Sequence, residues 1–309
     1  MTPKVQRYTL IFNWLLILSL LLVSCRNGVA TPTSTSTPVR VTPTQSPPTL
    51  TPTPFQPPTP VPLAARVNGE AITLAEYQAE LDRFQASAAG AGTNLATDGK
   101  KRVLDDLIDQ VLLAQAAQKA GFVVDDALLQ ARLDRLTAQV GGAMALANWI
   151  AKHGYTDQEF RQALARAIAA AWMRDQITAA VPGMAEQVHA RQILLYNSDQ
   201  ANQVFTQLQS GVDFASLAAK YDPLRAGDLG WFPRGYLTEP ALEETAFTLQ
   251  PGQYSSVIKT RMGYHILQVI ERDTQRPLTP DARLVLQTQA LHQWLAERRR
   301  QSDIQIMLP

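Results

Sequence analysis

Gly227-Asp228-Leu229-Gly230-Trp231-Phe232-Pro233-Arg234-Gly235 is the stretch on which the reading of this chain turns. Ala190-Arg191-Gln192-Ile193-Leu194 lies upstream of it and Gly263-Tyr264-His265-Ile266 downstream. Around these three stretches the apolar spacing switches between the strand and the helix period. Val188 to Leu195 is rich in β-formers, Asp199 to Gln209 is helical with Gly211 after it, and Asp213 is placed to cap a helix from Phe214 to Lys220. A loop should follow, then a short helix near Leu242 to Phe247, a Pro251-Gly252 turn, and strands near Tyr254 to Lys259 and Tyr264 to Ile270. The expected fold of this segment is α+β, a small sheet with packed helices.

In that order and spacing the three stretches resemble the signature of the parvulin-type (PpiC-like) peptidyl-prolyl isomerases, from Val188 to Arg272. The resemblance implies an isomerase domain over residues 187–273 and a site on its sheet. His265 matches a family histidine on the central strand. Gln192 stands where most members carry another histidine, and Asp222 falls at an acidic or cysteine position before the glycine-rich turn. By the same resemblance Leu237 and Leu242 replace a methionine and a phenylalanine of the proline pocket, with Leu229 and Phe247 beside them. Ordinary core packing fits those three leucines and Phe247 as well. Thr260 and Met262 occupy polar positions ahead of the histidine, where Met262 is a departure. His189, three residues before Gln192, should face the opposite side of the strand.

Prolyl isomerisation is rotation about an amide, with a barrier of about 18–20 kcal/mol. It needs no nucleophile, metal or cofactor. Binding the twisted amide better than either planar form is sufficient, which calls for an apolar pocket for the ring and a few fixed polar groups. Gln192 can hydrogen-bond but cannot titrate.

Residues 64 to 181 read as almost wholly helical. Thr73 with Glu76, and Thr156 with Glu159, have capping-box spacing. Val103, Leu104, Leu107, Ile108, Val111 and Leu112 repeat at helical spacing before Gly121, a C-cap. Leu128, Leu129, Leu133, Leu136 and Val140 form a second apolar face, and Pro182-Gly183 marks a boundary. Ala65 to Thr73 is strand-like around an Asn68-Gly69 turn. Val67-Asn68-Gly69 through Tyr77 resembles the start of the N-terminal module of SurA/PrsA-type extracytoplasmic foldases. That implies a helical chaperone body of residues 63–183 completed by a C-terminal helix, Asp281 to Arg300, and an apolar tail, Ile304 to Leu308, within residues 278–309. Two independent helical pieces are the other arrangement.

The beginning of the chain concerns location. Lys4 and Arg7 precede an apolar run from Leu10 to Val23, shorter than the roughly 20 residues a spanning helix needs. Residues 1–24 therefore read as a signal peptide. Leu22-Val23-Ser24-Cys25 resembles a lipobox, which implies lipidation of Cys25, the one cysteine, and tethering to the outer face of a bacterial membrane. A plain secretory signal or an uncleaved anchor also fits. From Thr31 to Pro62 there are 11 prolines and one charge, Arg40. Such a composition makes no core and favours polyproline II, so residues 25–62 read as a disordered stalk, or as a spacer of no required length.

With 28 Lys+Arg against 27 Asp+Glu, the chain has no electrostatic footprint for nucleic acid. No His/Cys cluster has metal-ligand spacing, and neither a nucleophile elbow nor a Walker loop is present. The expected partners are unfolded exported polypeptides with Xaa-Pro bonds. A binding chaperone with a catalytically weak parvulin domain is the alternative, and a lipoprotein scaffold a third reading.

Overall fold

The computed structural model describes residues 61–90 and 99–308. The signal peptide, Cys25 and nearly all of the stalk lie outside the described residues.

The chain opens with a hairpin, β1 (Leu63–Val67) and β2 (Glu70–Thr73). Asn68 and Gly69 have φ of 50° and 89°, the pair of positive values a two-residue hairpin turn requires. Helix α1 (Leu74–Gly90) follows directly, and Thr73 Oγ1 accepts the Glu76 N–H at 3.0 Å. The reciprocal arm expected of Glu76 is absent because its carboxylate pairs with Arg166 instead, at 2.7 Å. Helix α2 (Gly99–Lys119) buries Val103, Leu104, Leu107, Ile108, Val111 and Leu112 against the hairpin and Tyr77. Gly121, at φ 88°, ends that run as a left-handed cap.

Helices α3 (Asp126–Val140), α4 (Ala143–Lys152) and α5 (Asp157–Ala179) make a second small core of Leu133, Leu136, Leu146, Ile150 and Phe160. Both arms of the Thr156–Glu159 capping box are formed. Leu128 departs from expectation: it is exposed. The buried stripe runs Leu129, Leu133, Leu136, Val140, and Leu128 sits about 100° of helix rotation away from it.

After Gly183 the chain enters a four-stranded antiparallel sheet in the order β4-β3-β6-β5. Its members are β3 (Met184–Leu195), β4 (Asp228–Pro233), β5 (Ile258–Lys259) and β6 (Tyr264–Pro277). Helices α6 (Ser198–Gln209) and α7 (Phe214–Tyr221) cover one face through Ile193, Leu195 and Ile266. Helix α8 (Pro240–Thr248) packs on the other, where Val188, Ala190, Leu267 and Val269 meet Phe232 and Phe247.

Three details differ from the sequence reading. Asp228 to Pro233, expected in a loop, is an edge strand paired with β3. Strand β5 is only two residues long. Upstream of it Ser255 does the work of a longer ladder, giving its N–H to Leu267 O at 2.7 Å and accepting the Leu267 N–H on its hydroxyl at 2.9 Å. Strand β6 runs on to Pro277, because Met184 to Gln187 stay paired with it as a two-stranded stem. Buried Gln187 secures that stem by donating to the carbonyls of Arg276 and Pro277.

The chain then returns to its first domain. Helix α9 (Pro280–Arg300) lies on α5 and α2, and β7 (Ile304–Ile306) pairs antiparallel with β1. Arg299 on α9 bonds Asp105 at 2.9 Å and Asp109 at 2.6 Å, both on α2. The sheet domain is thus inserted into a helical body built from both ends of the described chain.

Candidate functional site

The site lies on the α8 side of the sheet, at the end where β3 finishes and β6 begins. Residues opposite one another across two strands share a face, and the β3–β6 register sets Gln192 against Leu267 and Leu194 against His265. His265 is completely buried. Its Nδ1 lies 2.9 Å from Gln192 Oε1, and its Nε2 lies 2.8 Å from Thr260 Oγ1.

These partners fix the proton. Gln192 Oε1 can only accept, so Nδ1–H donates to it and Nε2 is left as the acceptor for the Thr260 hydroxyl. Thr260 Oγ1 in turn accepts the Met262 N–H at 3.0 Å. Burial pushes the His265 imidazole below its ordinary range, against an upward pull from the Glu239 charge. The ring is therefore neutral at pH 7 with both nitrogens engaged. It is a fixed dipole in the floor of the site and has no free nitrogen for attack or proton transfer.

Two close approaches hold this arrangement. Gly227, at φ 70°, runs against the Gln192 backbone, gives its carbonyl to the Gln192 N–H at 2.9 Å, and leaves no room for a Cβ. Gly263, at φ 143°, closes the Thr260–Gly263 turn, where a Cβ would meet Leu195 O at 2.5 Å.

Asp222 stands apart from this set. Its carboxylate accepts the N–H groups of Arg225 and Gly227, each at 3.2 Å, and so closes the turn that delivers Gly227. It makes no hydrogen bond to His265 or Gln192; its link to Gln192 runs through Gly227. His189 faces away as expected, its Nε2 2.9 Å from Asp228 Oδ1 and its ring stacked on Trp231.

The apolar side is built from α8 and the segment before it. Leu242 and Phe247 are buried on α8, while Leu229 and Leu237 are partly buried against the cluster of Phe232 and Phe247. Met262 is half exposed, two residues after Thr260, whose hydroxyl accepts its N–H.

Several residues that set this geometry were not read from the sequence. Glu243 accepts the N–H groups of Gly235 at 2.7 Å and Leu237 at 3.0 Å, which fixes the loop presenting Leu237. Gln289 of α9 donates to Gly235 O, tying the same loop to the helical body. Arg272 of β6 donates to the carbonyls of Phe247 and Leu249 at the end of α8, at 2.9 and 2.7 Å. Glu239, before Pro240, fixes no backbone group and among the described residues pairs only with Arg261 of the Thr260–Gly263 turn, at 3.3 Å. Glu243 reaches back six and eight positions and the others 22 or more, and an acidic residue before a proline was the one local cue.

Among the described residues no group of three or more His, Cys, Asp or Glu could hold a metal ion. No described helix is long and apolar enough to cross a membrane.

Residues 185–271 match the PPIC-type PPIase domain and residues 60–164 the SurA-like N-terminal domain. The foldase protein PrsA of Caldanaerobacter subterraneus subsp. tengcongensis is 30% identical over 236 residues, which are 67% of this chain and 72% of that protein. The chaperone SurA of Thiobacillus denitrificans is 28% identical over 268 residues, 74% of this chain but only 60% of the relative. Among solved structures, peptidylprolyl isomerase (PrsA) from Bacillus cereus aligns with a TM-score of 0.45 and 20% identity, covering 76% of this chain and 88% of that one. With an isomerase domain set into a SurA-like helical body, and identity to a foldase along most of that relative's length, the chain belongs to the PrsA family of parvulin-type peptidyl-prolyl isomerases.

Proposed function

We propose that this protein is a tethered extracytoplasmic foldase, whose sheet domain isomerises Xaa-Pro bonds in newly exported polypeptides while its helical body holds the unfolded client. The carrying observation is the chain Gln192–His265–Thr260 beside an apolar surface of Leu229, Leu237, Leu242 and Phe247. The apolar residues receive the proline ring, and the buried neutral imidazole with its two partners supplies a rigid polar floor. Dipoles that are already oriented favour the twisted amide without reorganising as it forms.

In this reading His265 and Gln192 act as one unit and Thr260 completes it. Asp222 is a positioning residue that sets Gly227 and through it the Gln192 backbone. Met262 borders the entrance. Lipidation of Cys25 and a Thr/Pro-rich stalk would hold the foldase at the outer face of the membrane, a reading supported by Leu22-Val23-Ser24-Cys25 and by the proline content of residues 31–62.

The direct test is cis-to-trans conversion of short Xaa-Pro peptides. Acceleration that falls about tenfold in His265→Ala, equivalent to roughly 1.4 kcal/mol of transition-state stabilisation, supports isomerase activity at this site. Peptide binding without acceleration at high enzyme concentration would instead favour a docking chaperone. That second reading has its own observation: Gln192 cannot titrate, and Asp222 is bonded into its own turn.

A further inference from the structure

Glu239 has a carboxylate with no structural task that the fold explains. It occupies the N-cap position of α8 yet makes no capping hydrogen bond, the helix start being set by Pro240. Glu243, one turn later, is fully used by the backbone N–H groups of Gly235 and Leu237. Glu239 instead faces the Thr260–Gly263 turn, and its charge acts on the His265 imidazole. Among the described residues its one side-chain hydrogen-bond partner is Arg261, at 3.3 Å.

The two members of that pair differ sharply in surroundings. The Glu239 side chain is 13% exposed and the Arg261 side chain 85% exposed. The carboxylate is part of the wall, and the guanidinium is a solvent-side arm that closes over it. An ion pair with one member so exposed is weak and opens readily. A second cation of the right reach can take its place, and the half-exposed Met262 beside Arg261 offers apolar surface for the stem of such a side chain.

Resting on the isomerase reading above, we propose that Glu239 is a specificity residue that selects clients with a lysine or arginine next to the isomerised proline, and that Arg261 occupies this subsite until the client arrives. A carboxylate held in the wall attracts a cation and disfavours an acidic neighbour. The pair links the segment that follows Leu237 to the turn carrying Thr260, so in the isomerase reading a peptide with its proline on the leucines and its amide over His265 would pass beside it.

The test uses full-length protein and two peptide series, Ala-Xaa-Pro-Phe and Ala-Leu-Pro-Xaa, with Xaa as Lys, Leu or Glu. In one of the series the wild-type kcat/KM should favour Lys over Leu and place Glu last. Glu239→Gln, which preserves shape, should reduce the Lys-to-Leu ratio by about fivefold, the upper end for a partly exposed ion pair. Arg261→Ala should increase that ratio by removing the competitor. Raising the salt concentration should compress it in the wild type and leave it unchanged in Glu239→Gln. Isomerisation of all the peptides with a ratio that neither variant moves overturns the specificity role and leaves the isomerase reading intact. No isomerisation of any peptide overturns both.

Discussion

The Gly227 carbonyl accepts the Gln192 N–H at 2.9 Å, and the Gly227 Cα lies so close to the Gln192 carbonyl oxygen that a Cβ would overlap it. The glycine-rich turn is therefore a spacer for the strand that carries the candidate site residue Gln192. Gly230, three residues on, has the same φ of 70° with nothing within 4 Å of its missing Cβ.

That contrast separates backbone strain from close approach. Gly230→Ala bears the left-handed conformation alone, about 1 kcal/mol. Gly227→Ala bears the same strain plus displacement of β3, and should lose about 2–4 kcal/mol in urea unfolding, with most of the isomerase activity. Equal losses in the two variants would show that the approach to Gln192 is not a constraint.

The hydrogen-bonded chain through His265 predicts a pH profile. With a folded-state pKa below the unfolded value of about 6.5, the unfolded chain binds the extra proton first as pH falls. The stability contribution of neutral His265 is therefore complete above about pH 6.5 and is lost as pH drops from there toward the lowered folded value. Asp106, pushed up to about 6 by desolvation and by Asp109, titrates nearby with the opposite sign. The difference between wild type and His265→Ala removes that background. A difference that stays flat from pH 7.5 to 5 would mean that the imidazole is not held neutral.

Gln192→His replaces an amide that only hydrogen-bonds with a ring that also titrates. At pH 8 the rate should rise or stay unchanged, with little change in peptide affinity, because the altered contact bears on the twisted amide more than on the ground state. Below about pH 6.5 the variant should lose activity faster than the wild type, since a second imidazole beside His265 acquires charge there. A rate that collapses at pH 8 would show that Gln192 is needed for packing and not for its polarity.

Much of this organisation was legible because local signals agreed with the fold. The Asn68-Gly69 turn, the Thr156–Glu159 box, the Gly121 cap and the Asp213 cap each act within a few residues, and each is present. His265 and Gln192 were legible through motif spacing, and the sheet brings them into contact across 73 positions. Strand β4 was not, because Gly227 and Gly230 carry turn signals and its pairing comes from β3, far away in sequence. Glu243, Arg272 and Gln289 were missed because their partners are backbone groups outside their own elements. A polar side chain bound to such a carbonyl or N–H leaves no periodic trace.

The anchor prediction concerns residues 1–25 and follows from their order: basic residues, a short apolar run, then Leu22-Val23-Ser24-Cys25. The mature protein should begin at Cys25 and carry acyl chains by mass spectrometry, and Cys25→Ser should be left unprocessed or shed from the membrane. An unmodified mature N-terminus would remove the tether and leave a secreted foldase.

The two ends of the inserted domain meet, since the Leu278 N–H donates to Gly183 O at 2.9 Å where the stem enters the body. A short linker can therefore replace residues 187–273 without pulling the body apart. The body keeps its own closures: β7 on β1, Arg299 between Asp105 and Asp109, and the apolar core under α2. It keeps the Met184–Pro277 and Ala185–Arg276 pairs at the base of the stem, and loses Gln187 and the Gln289 bond to Gly235. The shortened protein should stay helical by circular dichroism, melt cooperatively, and still suppress aggregation of an unfolded client while showing no isomerase activity. Arg299→Ala tests the closure independently, because it removes the cation of Asp109 and leaves that carboxylate beside Asp105, which keeps only Lys101 of its own helix. Each exposed or partly exposed pair contributes at most about 1 kcal/mol, so a loss of about 1–2 kcal/mol in the body's unfolding is expected, with isomerase activity retained at temperatures below the transition. If removing the insert unfolds the helices, or if Arg299→Ala leaves the body's stability unchanged, the chain is not divided into a self-closing holdase body and a catalytic insert.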